Sequence, residues 1–295
     1  MNSQSIQLTS DQRRTATTRP TLPRGTVRTV LTYALLLALA FIMLLPFIWM
    51  LSASLKLDKD VFRFPIEWIP SDPQWGNYET IWTRIPFLTF FFNTFKLTVI
   101  ITFLQVATSS FAAYAFAKLD FRGRDTLFLA YLASIAVPWQ VYMIPQFILM
   151  RELDLVDKHM SLILLQAFTA FGVFLMRQFF ISVPNEILDA ARIDGLSEYG
   201  IYFRIMLPMS KPALATLTIF SAVFVWNDFM GPLIYLHSDS LKTIQLGLRM
   251  FIQQYSANYS LIMAASLVSV IPVMILFLAF QRFFVEGIGT TGIKG

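Results

Sequence analysis

Trp226, Asn227 and Asp228 stand side by side in the run VWNDF (Val225 to Phe229), just ahead of Gly231-Pro232. An indole, an amide and a carboxylate at one place on a helix can line a polar cavity, the ring stacking on a hydroxyl-rich solute while the amide and carboxylate hydrogen-bond it. Asn227 and Asp228 can instead cap a kink at Pro232 and hydrogen-bond neighbouring helices, and this is the preferred of the two readings. Trp139 and Gln140, in Pro138-Trp139-Gln140 with Tyr142 and Pro145 close by, invite the same two readings, and the two prolines favour a bend. A third polar stretch, Pro184 to Pro208 (PNEILDAARIDGLSEYGIYFRIMLP), carries Glu186, Asp189, Asp194 and Glu198 on a helix-forming segment. None of these is a catalytic constellation. With no cysteine and only two histidines, His159 and His237, far apart in the chain, thiolate chemistry is excluded, and neither a catalytic residue nor a metal site is expected.

The elements that must position these residues are apolar. Hydrophobic residues make up 56% of the 295 and charged residues only 14%, gathered between apolar runs, which is the pattern of membrane spans joined by short loops. The net charge of +5 fits topology-setting charge and calls for no nucleic acid. Six runs are each long enough for the ~20 residues that cross a bilayer: about 29–51, 90–117, 126–149, 161–182, 212–235 and 259–284. Residues 1–28, rich in Thr, Ser, Pro and Arg, read as a disordered cytosolic tail, and Arg13, Arg14, Arg19, Arg24 and Arg28 hold that end inside by the positive-inside rule. The first run is longer than a signal-peptide core and is expected to be retained. An even number of spans then puts the tail 286–295 and the loop 183–211 on the cytosolic side too. The spans and their connections make one six-span transmembrane domain over 29–285. Outside, the aromatic- and proline-rich loop 52–89 is expected to lie partly along the lipid interface. Loop 236–258 alternates at Ile244, Leu246, Leu248 and Met250, which predicts an extended segment able to reach another molecule.

A many-span chain without a catalytic cluster is a transporter or a channel, and its energy source decides the class. No GxxxxGK[ST] phosphate loop occurs, so this chain cannot bind ATP through that motif. Lys96, Arg177 and Arg282 fall near span ends, where they can snorkel to water. That leaves Asp228 alone as an intramembrane charge, thin support for an ion relay. Energy supplied by a partner is then the reading to weigh against a self-contained carrier or channel. Pro184 suits a first-turn position, Glu186 lies near the positive helix end, and Leu188, Ala190 and Ala191 give a small-residue surface before Gly195 ends the helix. A short helix of that kind fits a partner's groove. A second segment, Ser197 to Met206, is expected to stop at Leu207-Pro208. The acidic side chains argue against the segment merely resting on anionic lipid.

Asp189-Ala190-Ala191, three residues, Gly195, nine residues, then Ile205-Met206-Leu207-Pro208 resembles the EAA motif of binding-protein-dependent ABC importer permeases, with Asp189 where the family usually has Glu. ARIDG, LPMSKPAL, the WND of the fifth span and the terminal GIKG extend the resemblance over about 25–295, towards the carbohydrate branch and six-span maltose-type permeases. The resemblance implies an all-α polytopic membrane protein with six transmembrane helices, in the type I ABC importer permease (MetI-like) fold. It implies Glu186, Asp189, Ala190, Ala191, Asp194 and Gly195 as the ATPase-coupling element. The partners it implies are a second homologous permease, two cytosolic ATPase subunits and an extracytoplasmic solute-binding protein, in the lipid of a bacterial or archaeal cytoplasmic membrane. ATP and Mg would be bound by the ATPases, with no cofactor on this chain. A permease for a non-sugar solute and an ATP-independent carrier or channel are the alternatives. Spans four to six offer no basic cavity for an anion, which favours a neutral, hydroxylated solute.

Overall fold

The computed structural model describes residues 24–252 and 258–291, with backbone only at 24–27 and 283–291. Every regular element among them is helical: α1 (Arg24–Ser54), α2 (Gly76–Arg84), α3 (Phe87–Lys118), α4 (Arg124–Ala133), α5 (Trp139–Glu152), α6 (His159–Gln166), α7 (Ala170–Ser182), α8 (Asn185–Ile193), α9 (Glu198–Ile201), α10 (Leu207–Met209), α11 (Lys211–Trp226), α12 (Met230–Tyr235), α13 (Ile244–Met250) and α14 (Tyr259–Thr291). The fold is all-α. Residues to Ile48 form one compact unit and those from Trp49 onward another.

Four stretches are long and apolar enough to cross a membrane, Arg28–Ser54, Phe87–Lys118, His159–Ser182 and Tyr259–Arg282, and two bent pairs raise the number to six if each is one span. The expected third span is one of these pairs: α4 and α5 meet at 98° around Val137-Pro138, where Pro138 cannot continue the ladder. Pro145, by contrast, lies inside α5. The expected fifth span, 212–235, ends at Trp226, and α12 is a separate short helix. The expected fourth span is also interrupted, at Ala167–Thr169 between α6 and α7. Backbone groups freed there need partners in an apolar setting, and α3 supplies them: Gln105 Nε2 donates to the Gln166 carbonyl at 2.8 Å and Thr108 Oγ1 to that of Ala167 at 2.9 Å.

Three further expectations need correction. Loop 236–258 is not extended: 244–250 is the helix α13, its first N–H donating to Thr94 Oγ1 at 2.8 Å, while Gln253, Gln254 and Tyr255 lie outside the described residues. Pro208 does not stop the second segment of the polar loop, because a π-helical turn, Tyr202–Met206, runs straight into α10. At the ends, the helical backbone begins at Arg24 and continues to Thr291, so neither expected tail boundary matches, and 1–23 and 292–295 lie outside the described residues.

α3 is the central helix of the second unit. It packs on α7 and α11, and α11 packs on α14. Its crossing with α7 is close enough that a side chain at Gly172 would collide with Ser109. Three buried clusters follow α3 along its length: one holds Ala113 and Tyr114, one Leu97 and Ile101, one Phe87.

Candidate coupling site

α8 forms because Pro184 presets its entry and Glu186 sits in the first turn, and it ends because Gly195 adopts φ +83°, a left-handed conformation that favours glycine. Its two faces differ sharply. Leu188 is 1% exposed and Ala191 6%, both in the cluster that joins Ala113, Phe180, Met206 and Leu217 from α3, α7, the π turn and α11. Burying the Leu188 side chain contributes about 1.5–3 kcal/mol to holding the helix down. Glu186, Asp189, Ala190 and Asp194 are exposed, Ile187 is exposed, and Ile193 stands 86% exposed. Ala190 and Ala191 therefore do not make one small-residue surface. Adjacent residues point about 100° apart on a helix, and only Ala190 shares the outward face with Glu186 and Ile193.

Charged side chains brace this helix. Arg192 pairs with Asp189 at 2.8 Å and with Glu198 at 2.8 Å, so the carboxylate that replaces the family's Glu is held within its own helix. Glu198 Oε2 also accepts from Tyr114 Oη of α3 at 2.6 Å. Lys118, one turn further along α3, donates to the Val183 carbonyl at 2.6 Å and to Asn185 Oδ1 at 2.7 Å. One turn back, Ser110 Oγ lies 2.6 Å from Tyr202 Oη. A polar hollow of about 420 Å³ remains between these groups, bounded by Lys118, Asp120, Arg124, Asp189, Arg192 and Glu198. Arg177 of α7 donates to the Phe116 carbonyl at 3.1 Å and stacks over Phe128 at 4.1 Å, closing the same end of the molecule.

The other candidates lie elsewhere and do not converge. Trp226 is 4% exposed, donates through Nε1 to the Ser269 carbonyl at 3.0 Å, and meets Phe91 edge-on. One side of its ring borders an apolar cavity of about 400 Å³ between α3, α11 and α14. Asp228 caps α12, its Oδ1 accepting from Gly231 N at 3.1 Å, and bridges to Gln166 Nε2 at 2.7 Å. That bridge ties the break after α11 to the break after α6. Asn227 is exposed, with Nδ2 turned back to the Val223 carbonyl at 2.8 Å. Trp139 donates to Gln146 Oε1 at 2.9 Å, and Gln140 is exposed. Between the two readings of the fifth-span triplet, the hydrogen bonds of Asp228 favour helix capping.

Residues 105–289, α8 included, match the family model described as binding-protein-dependent transport system inner membrane component. The chain belongs to that family. It is 36% identical over 260 residues to the arabinooligosaccharides transport system permease protein AraQ of Halalkalibacterium halodurans, covering 87% of this chain and 93% of the relative. With the lactose transport system permease protein LacG of Rhizobium radiobacter it shares 30% over 258 residues, 88% of this chain and 94% of that one. A solved bacterial ABC transporter involved in the import of the acidic polysaccharide alginate superposes with a TM-score of 0.78 at 26% identity, covering 90% of this permease and all of that chain. Sequence reasoning missed Ser110, Tyr114 and Lys118. Their signal was three polar side chains at a spacing of four in an apolar helix.

Proposed function

We propose that this permease is one of a pair that carries a carbohydrate, an oligosaccharide or related polyhydroxy solute, into the cell by alternating access. Two ATPase subunits, which bind the ATP and Mg, drive it through α8. The observation that carries the reading is the two-faced helix: Leu188 and Ala191 root it in the cluster shared by α3, α7 and α11, while Glu186, Ala190 and Ile193 face outward. Such a helix transmits a push from outside to several spans together. Relatives named for arabinooligosaccharide and lactose transport along nearly the whole chain support a carbohydrate, and the family's description supports a solute-binding protein as partner. In this reading both chain ends and α8 are cytosolic, and α13 with its flanks meets the binding protein. Asn227 and Gln140, both exposed, are the members of the candidate pathway that would meet a solute, Asn227 by giving up its contacts to Val223 and Gln245.

The test is co-purification and transport with the second permease, the ATPases and the binding protein in proteoliposomes. Ala190→Trp is expected to leave the permease inserted and to abolish both ATPase recovery and ATP-dependent uptake. Normal ATPase recovery with that variant, or uptake that needs no ATP, defeats the proposal.

A further inference from the structure

The chain enters α8 from α7 and leaves towards α11, so those two helices would be the obvious receivers of its motion. The path to α11, however, runs through the π turn, α10 and a 78° bend at Ser210. Three polar contacts lead elsewhere. Ser110, Tyr114 and Lys118 are spaced i, i+4, i+8 on one face of α3, spread over about 12 Å of helix, and each grips a different part of the polar loop. Ser110 meets Tyr202 in the π turn, Tyr114 meets Glu198 at the start of α9, and Lys118 meets Val183 just past the end of α7 and Asn185 at the start of α8. Glu198 passes the second contact on to α8 through Arg192, which also holds Asp189.

From this ladder we infer that α3, which is not joined to α8 along the chain, is driven by it directly, beside the α7 and α11 that share its cluster, with Ser110, Tyr114 and Lys118 as positioning residues. The inference rests on the coupling role proposed for α8. One rung is buried on both sides, since Ser110 and Tyr202 are both enclosed, while in the second the buried Tyr114 reaches a half-exposed Glu198. The lowest rung uses a lysine on a backbone carbonyl, which fixes distance without needing a matching charge. What α3 receives reaches the full depth of the permease, because α3 contributes to all three buried clusters and supplies the side chains that satisfy the break between α6 and α7. Displacing one helix thus moves both the outer end, through Phe87, and the interrupted fourth span, through Gln105 and Thr108.

The experiment uses the assembled transporter and a triple variant, Ser110→Ala, Tyr114→Phe and Lys118→Met. ATPase recovery and basal hydrolysis are expected to match the parent, while solute taken up per ATP hydrolysed falls about tenfold, equivalent to ~1.4 kcal/mol of coupling. The chain has no cysteine of its own, which allows a rescue. In a Ser110→Ala, Tyr114→Phe background, Lys118→Cys and Asn185→Cys are joined by a short bismaleimide, and the cross-link is expected to restore uptake per ATP. Unchanged coupling in the triple variant, loss of ATPase recovery in it, or a cross-link that fails to restore uptake overturns the inference. Ala190→Trp, run in parallel, reports on the docking reading alone: if it binds ATPases normally, that reading fails whatever the ladder variants do.

Discussion

Replacing Ala191 by leucine separates the inward face of α8 from its outward one. Ala191 is 6% exposed and packs in the cluster with Leu188, Phe180 and Met206. Three extra carbons there overfill a packed core, at a cost of about 1–3 kcal/mol. The same change at exposed Ala190 is expected to stay within about 0.5 kcal/mol, since alanine and leucine are both strong helix formers. For a chain of this size each kcal/mol moves a melting temperature by roughly 2–4 °C, so Ala191→Leu is expected to melt roughly 2–12 °C below the parent and Ala190→Leu with it. The assay is thermal unfolding of the purified permease in detergent, followed by size exclusion, with ATPase recovery measured on the same samples. ATPase binding by Ala191→Leu should track the folded fraction. If Ala190→Leu melts early and Ala191→Leu melts with the parent, α8 is rotated by about 100° from the orientation described, and the reasoning about its two faces is refuted.

Two further outcomes are expected. Asp157, in the loop between α5 and α6, accepts from the Ser238 hydroxyl and from the Ser238 and His237 backbone N–H groups, which lowers its carboxyl from the ordinary 3.8 to about 2. A depressed carboxyl stabilises fully above its unfolded value and loses that contribution as pH falls through the folded one; protection of the 237–238 amides, taken relative to their intrinsic exchange rate, should therefore fall between about pH 4 and pH 2, and Asp157→Asn should flatten that dependence. Asp228→Ala removes both the α12 cap and the bridge to Gln166 and is expected to cost about 1–3 kcal/mol of thermal stability; a variant with parental stability but altered solute preference would instead make Asp228 a pathway residue.

The apolar runs and the polar loop were legible because each is local: a run of ~20 apolar residues spans a bilayer, and the motif from Asp189 to Pro208 lies in one segment. What escaped depends on partners far away in sequence. The interruption at Ala167–Thr169 contains no proline or glycine, and it persists because Gln105 and Thr108, about sixty positions earlier, bond the carbonyls it frees. Alternating Ile244, Leu246, Leu248 and Met250 suits a strand by period alone, but Thr94 receives the first N–H and a helix results. Ala190 and Ala191 looked equivalent as residue types, and only the cluster beneath α8 distinguishes them.

The shared cluster and the α3 ladder also bear on how such permeases can be recombined. A segment whose contacts were internal could be exchanged between relatives like a cassette. The stretch from Pro184 to Pro208 is not of that kind: its Leu188, Tyr202 and Met206 complete a core begun by α3, α7 and α11, and its Asn185, Glu198 and Tyr202 are held by Lys118, Tyr114 and Ser110. If α8 has the coupling role proposed for it, a chimera that re-addresses this permease to another ATPase must carry that face of α3 along with the loop, or change only Glu186, Ile187, Ala190 and Ile193, which are exposed on α8.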